Sequence, residues 1–518
     1  MKISLASIAL LGVGASAAVT HVHDSCPCCS ALAAIPQLKG KIYVPGSNAY
    51  DARLKTYYSA NAALEPWCMV LPESTQDVSK IAKVISKKKC PFGIRSGAHS
   101  AWKGSNGVEN GITIDFSYMN TTTYDSKKKI ASIQPGSNWG RVYEALNEYD
   151  VAAVGGRASV VGVGGFTTGG GYSFHSNARG FACDVVANFE VVLADGRIIN
   201  ANKNQHPDLW KALKGGSGNL GFVTRIDQCK FSLLFISPES NQKRSIDVVD
   251  SNKLWGGFVS FDLSQRDSVF ESYIDFAENM HLDLASQLIV SVQYNGKERI
   301  LISVVSNSDA IPAAPAFDDF LSLPNVSNTL TTGKIADLVP QFTGPTPLGL
   351  YANWMTGMTT NDIRVMKFVD EKHAEYVEKM KAAAPGSDFS VLVQFQPFTE
   401  SMVAHSRKTG GNVLGLEDVV ADGPALNWLI AVTVDTAENQ KKIAPLTLEY
   451  RDSINKYATS IGANKNWEYL NYALGDQDPI KHYGSESVRY LQIASKKYDP
   501  QGVFQKLRSS GFKIPSKG

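Results

Sequence analysis

Three glycine-rich segments hold the residues whose types and spacing could do chemistry. In Pro91-Phe92-Gly93-Ile94-Arg95-Ser96-Gly97-Ala98-His99-Ser100 a strand pattern runs into a turn of small residues. The amides of such a turn can approach a ligand closely, as phosphate cradles require. His99 follows at once, so its imidazole faces the same ligand unless it is an ordinary turn histidine. Residues 161–171 read Val-Gly-Val-Gly-Gly-Phe-Thr-Thr-Gly-Gly-Gly, in which amides and the hydroxyls of Thr167 and Thr168 could wrap a pyrophosphate. Phe166 and the flanking valines argue for an ordered, half-buried segment over a flexible loop. This is not a Rossmann fingerprint, because no acidic residue is convincingly placed about 20 positions on. Residues 207–224 give a short helix, the turn Gly215-Gly216-Ser217-Gly218 and a strand. Each segment is weak alone; three in one stretch, spaced by strands, predict an extended dinucleotide site.

The elements around these turns predict an α+β lobe. Strands are expected at 68–71, 92–95, 112–115 and 130–134, with a hairpin turning at Asp195-Gly196. Thr75 is the expected cap of a helix whose inward face is Val78, Ile81, Ala82 and Ile85. A second helix turns Trp139, Val142, Tyr143 and Leu146 inward. A polar spacer at 237–241 precedes longer strands at 288–294, 299–305 and 390–396 and a helix at 360–381. This second lobe is expected to form a sheet roofing a cavity. Gln394 and Gln396 share one face of a strand, toward substrate or toward solvent. His175 either lines the site or packs behind it, and Trp354, Trp428 and Phe398 are assigned to the core.

A chain of 518 residues exceeds what one core usually serves, which favours two lobes. The net charge of +2 gives no electrostatic reason to expect nucleic acid or a membrane surface as partner. Lys2, an apolar run over 3–13 and Ala15-Ser16-Ala17 read as a secretory signal over 1–17, too short to span a bilayer. Export would place the seven cysteines in an oxidising compartment. Cys26-Pro27-Cys28-Cys29 lacks a second cluster at ligand spacing, so no metal is expected. A disulfide from one of Cys26, Cys28 or Cys29 to Cys90 is expected instead. Asn120-Thr121-Thr122 and Asn325-Val326-Ser327 are glycosylation sequons consistent with export.

The order of these segments resembles the FAD-binding lobe of the vanillyl-alcohol oxidase and p-cresol methylhydroxylase superfamily. The nearest branch resembles the secreted, fungal berberine-bridge-enzyme-like oxidases. The likeness covers about 62–233 and resumes at Tyr469-Leu470-Asn471-Tyr472 and Tyr498-Asp499-Pro500-Gln501-Gly502-Val503-Phe504. It implies a two-lobe fold: an FAD-binding domain at 62–233, a substrate domain with an antiparallel sheet and flanking helices at 234–460, and a segment at 461–518 returning to the first. It implies that His99 carries the flavin through its 8α carbon. Arg95, Ser96, Gly97, Ala98 and Ser100 would surround the FAD phosphates with Gly162, Gly164, Gly165, Thr167 and Thr168. Asn471 and Tyr472 would stand beside the isoalloxazine, Tyr472 as the base.

Three departures from the family pattern matter. Ala158 occupies the position of a second, cysteinyl link, so a single covalent attachment is expected. Ala98 replaces a glycine, and an alanine there is expected to keep φ negative. The element after Tyr472 lacks the usual Asp two residues on. The function implied is a secreted, monomeric FAD-linked oxidase that dehydrogenates a small secondary metabolite with O2 as acceptor. The alternatives are a carbohydrate oxidase and a relative that binds ligands without redox chemistry.

Overall fold

The computed structural model describes residues 26–229, 233–235, 244–246 and 252–516. The expected leader at 1–17 and the spacer at 237–241 lie outside the described residues. The first half is built on two sheets. A four-stranded sheet has the order Ile42–Tyr43, Cys68–Val70, Ile112–Asp115, Phe92–Arg95, with its last two junctions parallel. A five-stranded antiparallel sheet has the order Thr122–Asp125, Ile130–Ile133, Phe222–Cys229, Val186–Val192, Ile198–Asn202.

Helix Thr75–Lys88 joins the two sheets, because Val78, Ile81, Ala82 and Ile85 recur at helical spacing and are all buried. Its cap is Ser74, whose Oγ accepts from the Asp77 N–H at 3.2 Å. Thr75, the expected cap, instead donates its hydroxyl to Glu190 at 2.7 Å. Helix Trp139–Asn147 starts at Asn138 and buries Trp139, Val142, Tyr143 and Leu146 as expected.

The second half is one eight-stranded sheet with three long helices on one face. Alternation along its strands sorts the two faces. Val290, Val292, Val391, Val393 and Phe395 are buried, and the Phe395 ring meets Phe270 of helix Arg266–Asn279 at 5.7 Å. Ser291, Gln293, Leu392 and Gln394 stand on the opposite face, where the register pairs Ser291 with Gln394 and Gln293 with Leu392. The helix expected at 360–381 runs Ile363–Ala383, because Thr360 still closes strand Tyr351–Thr360 and Asp362 supplies the cap.

Two tethers fix the ends to the first sheet. The cysteine cluster opens helix Pro27–Ala33, and Cys28 bridges to Cys90, as expected for that cluster. Cys29 also bridges to Cys68, a second link that the sequence did not reveal. At the other end Phe92 donates to the Leu507 carbonyl at 2.9 Å, and Ser509 donates back to Phe92 at 2.8 Å. The motif at 498–504 sets up this return: Asp499 accepts the N–H groups of Val503 and Phe504 at 2.9 and 2.7 Å.

Candidate active site

The three glycine segments, the open face of the large sheet and the segment around Tyr472 enclose one cavity of about 620 Å3. Its size and mixed wall suit a large organic ligand. Two backbones touch at its centre: a methyl group added to Gly97 would stand 2.3 Å from the Gly162 Cα, so only glycine fits. Ser96 locks the contact by donating to the Pro135 carbonyl and accepting from the Gly164 N–H at 3.2 Å. Among the described residues, none of the N–H groups of Gly97, Ala98, His99 or Ser100 donates to another part of the chain. Four free amides on one turn, facing a wall of glycines, fit the phosphates of a dinucleotide.

Ala98 adopts φ +54°, which corrects the expectation of a negative φ. Its surroundings hold it there: its carbonyl accepts from Tyr58 N–H at 3.2 Å and its methyl is buried against Tyr57 and Ala62. Left-handed alanine costs roughly 1–2 kcal/mol, the kind of strain that gathers at functional sites.

His99 lies in an aromatic box. Tyr58 stacks on its ring at 4.1 Å and Trp354 meets it edge-on at 5.6 Å. Trp354 also donates its indole N–H to the Tyr58 hydroxyl at 3.3 Å. Burial pulls the His99 pKa down to about 4, so the imidazole is neutral at physiological pH with a free nitrogen lone pair. Trp354 therefore belongs to the cavity wall and not to the core, whereas Trp428 and Phe398 are buried as expected. Its strand position opposite His99, about 250 residues away in sequence, is what hid it.

Tyr472 faces the same cavity. Arg157 donates through Nη2 to its hydroxyl at 3.1 Å and also to Gln396 Oε1, and Tyr472 donates to that oxygen at 3.4 Å. The guanidinium lies over the Tyr172 ring at 4.1 Å, held by a Tyr172 hydroxyl bond of 2.6 Å to the Pro397 carbonyl. Arg157 Nη1 and Gln396 Nε2 are buried without a partner among the described residues. Neither Arg157 nor Tyr58 was among the candidates read from sequence. Gln396 proves to be turned inward, with Gln394 on the cavity wall.

The remaining candidates divide. Ser96, Gly97, Ala98, His99, Ser100, Gly162, Gly164, Gly165, Thr168, Asn471 and Tyr472 all line the cavity. Asn471 donates to the Phe166 carbonyl at 3.1 Å and to the Tyr469 hydroxyl at 3.0 Å. Tyr469 accepts two further N–H groups, from Gly171 and Tyr172, so it pins the second glycine segment in place. The Arg95 side chain turns away from the cavity: it lies over the Tyr57 ring at 3.9 Å and pairs with buried Asp115 at 3.3 Å. Thr167 is buried behind the wall. Phe174, and not His175, reaches the cavity; His175 is a buried packing residue.

The sequence profile described as FAD binding domain matches residues 66–202. The FAD-dependent monooxygenase sdcF of Emericella nidulans is 35% identical over 492 residues, covering 94% of this chain and 98% of that protein. The FAD-dependent monooxygenase drtC of Aspergillus calidoustus is 34% identical, covering 94% and 90%. Among solved structures, 6-hydroxy-D-nicotine oxidase of Arthrobacter nicotinovorans superposes with a TM-score of 0.73 at 19% identity, over 93% of this chain and 100% of that one. The glucooligosaccharide oxidase of Acremonium strictum, a protein with a 6-S-cysteinyl, 8α-N1-histidyl FAD, gives a TM-score of 0.72 at 18% identity, over 92% and 97%. With relatives this similar along nearly the whole chain and a matching FAD-binding segment, the chain belongs to the same family of FAD-dependent oxidoreductases as these fungal enzymes, and it shares the two-domain fold of the flavin oxidases it superposes on.

Proposed function

We propose that this enzyme is an exported, monomeric oxidase that dehydrogenates a small organic intermediate of secondary metabolism and passes the electrons to O2. The observation that carries the reading is the Arg157 contact with Tyr472 in the cavity that also holds His99. FAD, when bound, supplies the hydride acceptor. Tyr472 takes the substrate proton at its Oη, the oxygen to which the adjacent guanidinium donates. Gln396 orients both groups through Oε1. The free amides of 97–100, with Gly162, Gly164, Gly165, Thr168 and Asn471, would hold the cofactor. The neutral His99 imidazole would tether it as the single covalent link, since Ala158 offers no thiol. Residues 62–233 and 461–518 would form the FAD lobe, and 234–460 the substrate lobe.

The substrate wall mixes apolar groups, among them Phe174, Phe258, Phe342 and Trp354, with the polar side chains of Ser291, Gln293, Ser390, Gln394 and Thr433, which suits an organic molecule with an apolar body and a few hydroxyl or carbonyl groups. The two disulfides support passage through an oxidising compartment.

A second reading, monooxygenation, is favoured by the names of the fungal relatives. Turnover of the full chain under 18O2 with panels of alcohols, aromatic metabolites and sugars separates the two. An oxidase releases one peroxide per product and leaves the product unlabelled. Label in the product without peroxide would overturn the proposal in favour of oxygen insertion, and preferential turnover of sugars would overturn the substrate class.

A further inference from the structure

The end of the cavity away from His99 holds a buried arginine with a half-buried lysine behind it. Arg508 is 3% exposed and lines the cavity where the C-terminal segment returns to the first sheet. Its Nη2 donates to Asn219 Oδ1 and to the Phe512 carbonyl, each at 2.7 Å. Asn219 is itself fixed by bonds from its amide to the Gly216 and Phe512 carbonyls. The fork is thereby held in one orientation, which turns Nη1 into the gap between Gly218 and Gly511. A methyl group added to either glycine would stand 3.2 or 2.8 Å from that nitrogen. Lys513 lies directly behind, its Nζ donating to the carbonyls of Phe504 and Arg508.

Among the described residues no carboxylate lies within ion-pair distance of Arg508 or Lys513. An uncompensated guanidinium in a buried place is costly, and burial holds the pKa values of Arg508 and of Lys513 behind it below their ordinary range. Packing alone does not explain them, because an apolar pair would close the same gap without that cost. An anionic ligand would.

The chain itself shows which part of a dinucleotide reaches this end. Ile94 touches the Gly218 position and donates its N–H to Ser510 Oγ, beside Arg508. Ser96 and Gly97 then meet Gly162 and Gly164, and His99 reaches Tyr58 and Trp354. Five residues of chain, spanning at most ~17 Å, thus run from the cations to the imidazole. A flavin ring placed at His99 and Tyr472 directs its nucleotide half toward Arg508.

We infer that Arg508, backed by Lys513, is the counter-ion of the FAD diphosphate, a specificity-determining residue for the dinucleotide form of the flavin. The inference rests on the placement of the flavin ring beside His99 proposed above. Its test reads binding, not turnover, in the full chain carrying His99→Ala, so that flavins associate reversibly. Quenching of flavin fluorescence gives the affinities of FAD and of riboflavin, which lacks phosphate. Arg508→Gln is expected to weaken FAD about tenfold to a hundredfold, the range for a lost charged hydrogen bond, and riboflavin by less than twofold. Lys513→Gln, which leaves the wall intact, is expected to weaken FAD severalfold with the same selectivity. ADP is expected to compete with FAD in the parent chain and to lose that ability in Arg508→Gln. Equal losses for FAD and riboflavin, or none for FAD, would overturn the assignment and leave Arg508 a packing residue. Riboflavin that fails to bind the parent chain while ADP still binds through Arg508 would sink the placement of the flavin ring but keep the anion site.

Discussion

The Arg157 guanidinium stands 3.1 Å from the Tyr472 hydroxyl while Gln396 Oε1 accepts from both, so a cation and an acceptor converge on one phenol. A guanidinium donating to that oxygen holds the hydroxyl in one orientation and stabilises negative charge that develops on it as a proton is taken. Arg157→Gln is therefore expected to slow flavin reduction about tenfold to a hundredfold, the range for a lost charged hydrogen bond, with reoxidation by O2 little changed. Reduction at the parent rate in stopped flow would show that Arg157 only packs against Tyr172.

Tyr472→Phe keeps the ring against Trp354 and Tyr469 and removes only the oxygen. Stopped-flow reduction is expected to slow about a hundredfold to ten-thousandfold, with reoxidation by O2 little changed. Reduction at the parent rate would strip Tyr472 of its role as base. Neither Tyr469 nor Asp476 would inherit it easily, and His175 does not reach the cavity. Tyr469 is engaged by three donors, and Asp476 is an exposed partner of Arg451.

Ala98 gives a test of stored strain. Ala98→Gly relieves roughly 1–2 kcal/mol of left-handed strain and loses about 0.4–1 kcal/mol through the freer unfolded chain. A net gain of about 0.5–1 kcal/mol is expected by denaturant unfolding, whereas Ala98→Val should destabilise. A loss of more than about 1 kcal/mol in the glycine variant would mean that packing of the methyl outweighs the backbone term.

Three buried histidines outside the cavity set an acid limit. Burial lowers the pKa of His175 to about 3 and those of His373 and His405 to about 4, from 6.5. Above pH 6.5 both folded and unfolded chains carry them neutral, so they contribute no pH dependence. Below 6.5 the unfolded chain takes up protons first, and stability falls until the folded pKa is reached. At pH 5 each contributes about 2 kcal/mol of this loss, from 1.36 kcal/mol per unit. His373 has a structural reason: Arg299 Nε donates to its Nδ1, which leaves no lone pair for a second proton. Melting temperatures between pH 7 and pH 4.5 should drop steeply, and His175→Leu should flatten the slope by about one proton. A flat profile in the parent chain contradicts the burial argument.

Much of this site was legible because its glycines are local. The contact of Gly97 with Gly162 announces itself as two clusters of small residues, each flanked by a recognisable strand or helix. His99 and Tyr472 were found through the segments they sit in. Arg157, Tyr58, Trp354 and Arg508 carry no such local signal. Arg157 reaches Gln396 and Tyr472 across 239 and 315 positions, contacts that only the closed fold creates. Alternation along the strand around Gln394 and Gln396 put both on one face but could not tell cavity from solvent. The left-handed Ala98 was the opposite case: local propensity argued against the conformation, and burial against Tyr57 overruled it.

Peptide mass spectrometry of the purified chain decides whether the cavity holds FAD through one bond to His99. The enzyme is denatured, washed free of small molecules and digested. The yellow colour is expected to stay with the polypeptide, and one FAD-sized adduct to map to the peptide containing His99. A His99→Ala chain should bind flavin reversibly and carry no adduct. FAD released entirely on denaturation, or an adduct on a cysteine peptide with none on His99, would contradict attachment through His99.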